Sequence, residues 1–153
     1  MVVTERLDGR ENECVGQTFW EGVREQPFPV RASGTNAMSR HAFLLLSPPE
    51  TPGKFANPLE YARQLDEGGH EVAVYFDGAA TYWFDGIDDH PAPAVEAYER
   101  AKERDLIAGV CDHCATFKGV ADAVEAEGFE IEGTEHAPDV AELVEDGYEI
   151  HTV

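Results

Sequence analysis

The feature that most constrains this fold is the run His41-Ala42-Phe43-Leu44-Leu45-Leu46-Ser47. It is apolar almost without interruption, as a strand is when both faces of its sheet are covered. A strand of that kind belongs in a parallel sheet, whose connections are crossovers, usually helical. The chain supplies them in alternation. After a rigid loop at 48–54, Asn57-Pro58-Leu59-Glu60 reads as a helix start, with a cap, a proline at the first helical position and an acid at the third. Leu59, Ala62 and Leu65 form its apolar stripe, and Gly68-Gly69 end it.

A second strand follows at 70–76, then the turn Asp77-Gly78 and an aromatic stretch with Tyr82, Trp83 and Phe84. Pro91 and Pro93 open a second helix that carries Val95, Tyr98 and Ala101. A third strand is expected at 106–110. A third helix is expected at 115–127, with Phe117, Val120, Ala121 and Val124 spaced i, i+3, i+4, i+7. Phe129-Glu130-Ile131-Glu132 alternates like a short strand. Pro138 starts a fourth helix through Val140, Leu143 and Val144, and residues 148–153 make the last strand. The pattern predicts an α/β fold: a three-layer sandwich with a largely parallel five-stranded sheet and helices on both faces. Sites in such sheets form at the carboxyl ends of the strands. The loop 47–57, the stretch 77–90 and Cys111-Asp112-His113-Cys114 all emerge there.

The C-x-x-C carries the chemistry. It sits where a buried strand hands over to a helix, and the first turn of a helix has unpaired N–H groups that stabilise an anion. A thiol so placed loses its proton more easily than a free cysteine, with its pKa of about 8.5. Cys111, at the strand end, is the better aimed at those groups and is the candidate nucleophile. Cys114, about one turn on, can approach it as a second thiol. His113 as an imidazolium would stabilise the Cys111 thiolate, and Asp112 would oppose it. A structural zinc needs about four ligands. Cys111, Cys114 and His113 supply at most three, and His90 or His136 could complete a set only through the fold, so no metal and no cofactor are expected.

The net charge is −20, from 31 acidic and 11 basic residues, and only Lys54, Lys102 and Lys118 are lysines. Such a charge argues against nucleic-acid and membrane-surface partners, which are themselves polyanionic. It suits a protein of very salty solvent, where the Debye length falls to about 3 Å at 1 M, and implies a halophilic host. Three cysteines with one close pair do not make a disulfide framework. No stretch nears the roughly 18 apolar residues of a membrane span, and no basic-then-apolar signal pattern opens the chain. A cytoplasmic location is expected.

Residues 1–37 differ from the rest. They show no period, and Pro27, Pro29, Ser33-Gly34 and Thr35-Asn36 read as loop. They are expected to be a disordered arm, or an upstream read-through with Met38 as the true start. Cys14 is assigned no role. The domain is placed at 38–153.

Over about residues 40–153 the chain resembles the DsrE-like sulfur-relay proteins, which include the TusD-type carriers. The resemblance rests on the apolar first strand, on Gly-Gly-His-Glu-Val-Ala-Val-Tyr-Phe-Asp-Gly at 68–78, and on Cys111 followed by Lys118-Gly119. It implies that Cys111 carries sulfur as a persulfide, and that the chain forms trimers or hexamers and meets sulfur-donor and acceptor proteins. Cys114 departs from the single-cysteine carriers, since a second thiol can resolve a persulfide into a disulfide. Two other classes remain. One is a thiol-disulfide redox protein using the C-x-x-C, although no antiparallel strand pair follows the cysteines as in a thioredoxin-like fold. The other is a non-catalytic oligomeric binding module. The arm itself yields a test: a chain starting at Met38 should keep the parent's melting temperature in high salt, and a much lower one would make residues 1–37 structural.

Overall fold

The computed structural model describes residues 37–133 and 135–153. The expectations for residues 1–36, Cys14 included, lie outside the described residues. Four strands, β1 (Arg40–Leu45), β2 (Glu71–Phe76), β3 (Ile107–Val110) and β4 (Tyr148–Thr152), form one parallel sheet in the order β3-β2-β1-β4. Helices α1 (Pro52–Glu67), α2 (Ala92–Glu103), α3 (Asp112–Lys118), α4 (Ala121–Ala126) and α5 (Val140–Glu145) connect them, with 3-10 turns at Gly78–Phe84 and Ile87–Asp89. No helix among the described residues is long and apolar enough to cross a membrane.

The sheet therefore has four strands, not five. The segment 129–132 keeps its alternation, with Phe129 and Ile131 half-buried and Glu130 and Glu132 exposed, yet it joins no strand. Phe129 leans edge-on against Phe84, 5.6 Å between ring centroids. Alternation records which side meets the core. A strand also needs a neighbour whose N–H and C=O groups are free to pair.

Parallel register fixes the two faces of the sheet. Phe43 and Leu45 stand beside Val74 and Phe76, and this face is covered by α1 and α2 through Phe55, Leu59, Ala62, Ala94, Ala97 and Tyr98. The opposite face carries Tyr75 and Tyr148, and Leu143 of α5 lies beside them. β1 is buried along Phe43, Leu44 and Leu45, as its apolar run requires.

Three helical expectations are corrected. α1 begins at Pro52, where the fixed φ of proline suits the first helical position. Pro58 lies inside the helix, giving up one backbone bond but burying its ring. The single helix at 115–127 is two helices, because Gly119 turns left-handed (φ 74°) and its N–H caps the end of α3. The break rotates the apolar stripe: Val120 and Val124 are buried, whereas Phe117 is 82% exposed. In α5 only Leu143 of the expected stripe is buried. Val140 and Val144 are exposed, and Asp139 caps the helix with bonds from the Ala141 and Glu142 N–H groups.

The aromatic stretch folds inward. Trp83 is fully buried, stacks on Phe55 at 3.7 Å between centroids, and donates from Nε1 to the Ser47 carbonyl at 3.0 Å. Phe84 is buried with it, and only Tyr82 reaches solvent. Trp83 and Phe84 thus satisfy their apolar surface within the chain, so they give no argument for a subunit contact.

Beside the starts of β1 and β2, and reaching His151 of β4, lies a polar group. His41 Nδ1 is 3.0 Å from His151 Nε2, and Ser39 Oγ is 2.8 Å from both His41 Nε2 and His70 Nδ1. Burial holds the His41 pKa below its ordinary value, partly offset by the Glu149 carboxylate.

These burial differences should appear in stability. Trp83→Ala is expected to cost about 3–5 kcal/mol, and Phe117→Ala to stay within about 0.5 kcal/mol of the parent. Urea midpoints at constant salt check both, and a large loss at Phe117 would restore the single-helix reading.

Candidate functional site

The site begins with strand pairing. Phe76 stands opposite Val110, and the Cys111 N–H then donates to the Phe76 carbonyl at 2.8 Å, one step past the strand ends. Asp77 and Cys111 therefore leave the sheet side by side. Asp77 turns the chain through Gly78, whose φ of 52° suits glycine. Its Oδ1 accepts the Gly78 N–H at 2.6 Å.

Cys111 is the N-cap of α3. Its backbone is extended, and its Sγ accepts the Cys114 N–H at 3.5 Å. The side chain is fully buried. His136 Nδ1 lies 3.7 Å from the sulfur. His136 is brought in by the chain between α4 and α5, which two bonds hold over the site. The His113 N–H donates to the Glu135 carbonyl at 3.1 Å, and the Gly133 N–H donates to Asp112 Oδ2 at 3.1 Å.

Cys114 points the other way. Its thiol donates to Asp77 Oδ1 at 3.2 Å. Burial, and next this bond to a carboxylate, push the Cys114 thiol up to about 12. Both cysteines are free. The two sulfurs are inequivalent: Cys111 receives a backbone donor, while Cys114 is kept protonated.

The fold thus brings Cys111 and Cys114 together as the sequence suggested, but gives their neighbours other roles. The His113 ring packs against His136, 4.2 Å between centroids, and lies parallel to Phe117 at 6.3 Å. It bonds to neither thiol among the described residues, and its backbone N–H does the positioning. The Asp112 carboxylate is occupied by Gly133. Lys118 lies over the Tyr82 ring at 4.4 Å.

Asp77 is the residue that sequence reasoning missed, although it follows the second strand on the edge where the cysteines emerge. Of the two histidines that only the fold could bring in, His136 reaches the cysteines, whereas His90 Nε2 lies 3.1 Å from the Trp83 carbonyl. With Asp77 and His136, four side chains capable of ligating a metal converge, one ligand atom from each of Asp77, Cys111, Cys114 and His136, all within 4.8 Å of one another. The tally of two or three ligands from sequence is therefore corrected to four. A second grouping, His41, Glu149 and His151, belongs to the cluster beside the starts of β1 and β2.

A cleft of about 490 Å³ opens at the same sheet edge, lined by Ser47, Lys54, Asn57, Thr152 and Val153 among others. It lies between the ends of β1 and β4, where the strand order reverses, the usual ligand crevice of an open α/β sheet. Neither cysteine lines it.

A family model described as DsrE/DsrF-like family matches residues 40–152. The chain belongs to the DsrE/DsrF-like family. Comparison with curated proteins and with solved structures gave no match. The DsrE/DsrF-like match takes in the whole four-stranded sheet, both cysteines, Asp77 and His136, and the family is associated with sulfur relay.

The inequality of the two thiols can be measured. Asp77→Asn removes the charge that repels the Cys114 thiolate and supplies an amide N–H that can donate to it, so the Cys114 pKa should fall from about 12. Burial persists, so the fall is partial. Iodoacetamide labelling followed by mass spectrometry across pH should show Cys114 of the variant reacting at lower pH than in the parent. An unchanged profile would mean that Asp77 does not hold the proton.

Proposed function

We propose that this DsrE/DsrF-like chain relays sulfur as a persulfide on Cys111. The observation that carries the reading is the opposed environment of the two sulfurs. Cys111 Sγ accepts an N–H, whereas the Cys114 thiol is tied to Asp77 and held protonated. The thiolate is the nucleophile. Cys111 thiolate attacks the outer sulfur of a donor persulfide, R–S–SH. A new S–S bond forms on Cys111, the donor's S–S bond breaks, and R–S⁻ leaves. The product, Cys111–S–SH, passes its outer sulfur to an acceptor thiolate by the same step in reverse.

Resolution by Cys114 competes with that transfer. Cys114 thiolate would attack the inner sulfur, form the Cys111–Cys114 disulfide and expel HS⁻. With its thiol pushed to about 12, Cys114 is seldom a thiolate near neutral pH, which favours holding the persulfide. The nearness of the two sulfurs, within 4.8 Å, favours a second reading as a thiol-disulfide redox pair.

Cys111 is buried, so loading requires that the donor's outer sulfur be admitted to it. Exposed Phe117 on α3 and half-exposed Tyr82, which lies against Lys118 of the same helix, suit contact with a donor or acceptor protein. The TusD-type pattern of Lys118-Gly119, a cytoplasmic setting and a salt-rich host fit the same reading. A homotrimer or homohexamer belongs to it as well, and exposed Val140, Val144 and Tyr61 are apolar surface that an assembly could cover. Light scattering in multimolar salt should give three or six chains, and a monomer at micromolar concentration would reject the assembly.

The sulfur step has its own test. Metal-free, reduced protein is incubated with a low-molecular-weight persulfide, and its intact mass is recorded. The parent and Cys114→Ser should gain about 32 Da, and Cys114→Ser should hold the gain longer. Cys111→Ser should gain nothing at this site. A loss of about 2 Da in the parent, with no stable gain in Cys114→Ser, would favour the redox pair.

A further inference from the structure

We infer that the reduced site is also a binding site for one thiophilic divalent cation of the zinc class, held by Asp77, Cys111, Cys114 and His136. This goes beyond sulfur relay and does not depend on it. The donor set comprises two sulfurs, one imidazole nitrogen and one carboxylate oxygen. Thiolate and imidazole donors select zinc over magnesium and calcium, which prefer all-oxygen shells.

The spacing fits a tetrahedron. With zinc bonds of about 2.3 Å to sulfur and about 2.0–2.1 Å to nitrogen or oxygen, neighbouring ligand atoms stand roughly 3.3–3.8 Å apart. Cys111 Sγ to His136 Nδ1 is 3.7 Å, and Cys114 Sγ to Asp77 Oδ1 is 3.2 Å. All four atoms lie within 4.8 Å of one another, so contractions of up to about 1 Å complete the shell. Two ligands are supported by backbone already in place. Asp77 is fixed by its Gly78 N–H bond and the Leu45 carbonyl, to which its own N–H donates. Cys111 is fixed by the ladder bond to Phe76. Exposed His136 stands on the solvent side and closes the set.

Binding changes the protonation of the site. Cys111 and Cys114 coordinate as thiolates, and any proton they carry passes to solvent. The Asp77 oxygen that accepted the Cys114 proton takes the metal instead. His136 binds through Nδ1 and keeps its proton on Nε2. The cation offsets the repulsion among two thiolates and a carboxylate. It also occupies both sulfurs, and so excludes sulfur loading until it leaves.

Cobalt(II) and zinc(II) are the probes, titrated into the reduced full-length protein in high salt with magnesium in excess. Cobalt is expected to bind one per chain, with thiolate-to-cobalt charge transfer in the near ultraviolet and the visible bands of a tetrahedral ion, and zinc is expected to displace it. His136→Ala changes an exposed residue, so the fold should persist by circular dichroism while cobalt affinity drops at least about tenfold. Asp77→Asn should weaken binding similarly. One equivalent of zinc should block alkylation of both cysteines, and a chelator should restore it. Cobalt bound without thiolate charge transfer would mean only the acidic surface is occupied, and would overturn the inference. An affinity unchanged in His136→Ala would do the same. Sulfur loading is scored on metal-free protein, so failure of either idea leaves the other decided by its own measurement.

Discussion

One backbone hydrogen bond organises the chemistry of this protein. The Cys111 N–H donates to the Phe76 carbonyl at 2.8 Å and extends the pairing of β2 with β3 past both strand ends. Because parallel strands finish at the same edge, the residue after Phe76 and the residue after Val110 become neighbours. One is a carboxylate and the other a thiol. Slipping the register by one residue would turn Asp77 to the opposite side and leave Cys114 without its acceptor. The reactivity of the pair thus depends on a ladder bond that involves neither side chain.

The rigidity behind that bond comes from the aromatic core. Phe76 packs against Phe55, Phe84 and Tyr98, and Trp83 stacks on Phe55 while bonding to Ser47. Aromatic pairs of this kind add about 0.5–1.5 kcal/mol each beyond the area they bury. They also hold the 3-10 turn Gly78–Phe84 against the sheet, so the turn that starts at Asp77 is anchored on both sides. The segment that looks like surplus apolar surface in the sequence is the support of the site.

Much of the architecture is legible in the sequence because its signals are local. The apolar run at β1, the Gly68-Gly69 end of α1, the prolines that open α2, and the strand before the cysteines all rest on signals within a few residues. Where the reading failed, two local signals competed or a local signal lacked a partner. Gly119 ended a helix whose apolar spacing ran on through Val124, because a left-handed residue stops helical hydrogen bonding whatever the side-chain pattern. At Phe129–Glu132 the alternation was real, but no free strand edge met it. The segment with Pro52 read as loop and Pro58 as the helix start, whereas α1 begins at Pro52 and carries Pro58 inside it, buried like Phe55 and Leu59.

The sequence by itself determined the parallel α/β plan, the place of the cysteines at a strand–helix junction, and the proximity of Cys111 and Cys114, since a C-x-x-C in a first helical turn brings its sulfurs together by helical geometry alone. Only the tertiary structure decided what surrounds them. Asp77 is separated from Cys114 by 37 positions and His136 from Cys111 by 25. Their meeting depends on strand order and on the loop bonds of Asp112 and His113, neither of which leaves a periodic trace in the chain. The physical reason is range. Capping and helical spacing act over a turn, so the local sequence reveals them, whereas the state of the Cys114 proton is set by burial and by a carboxylate that reaches it only after two strands have paired.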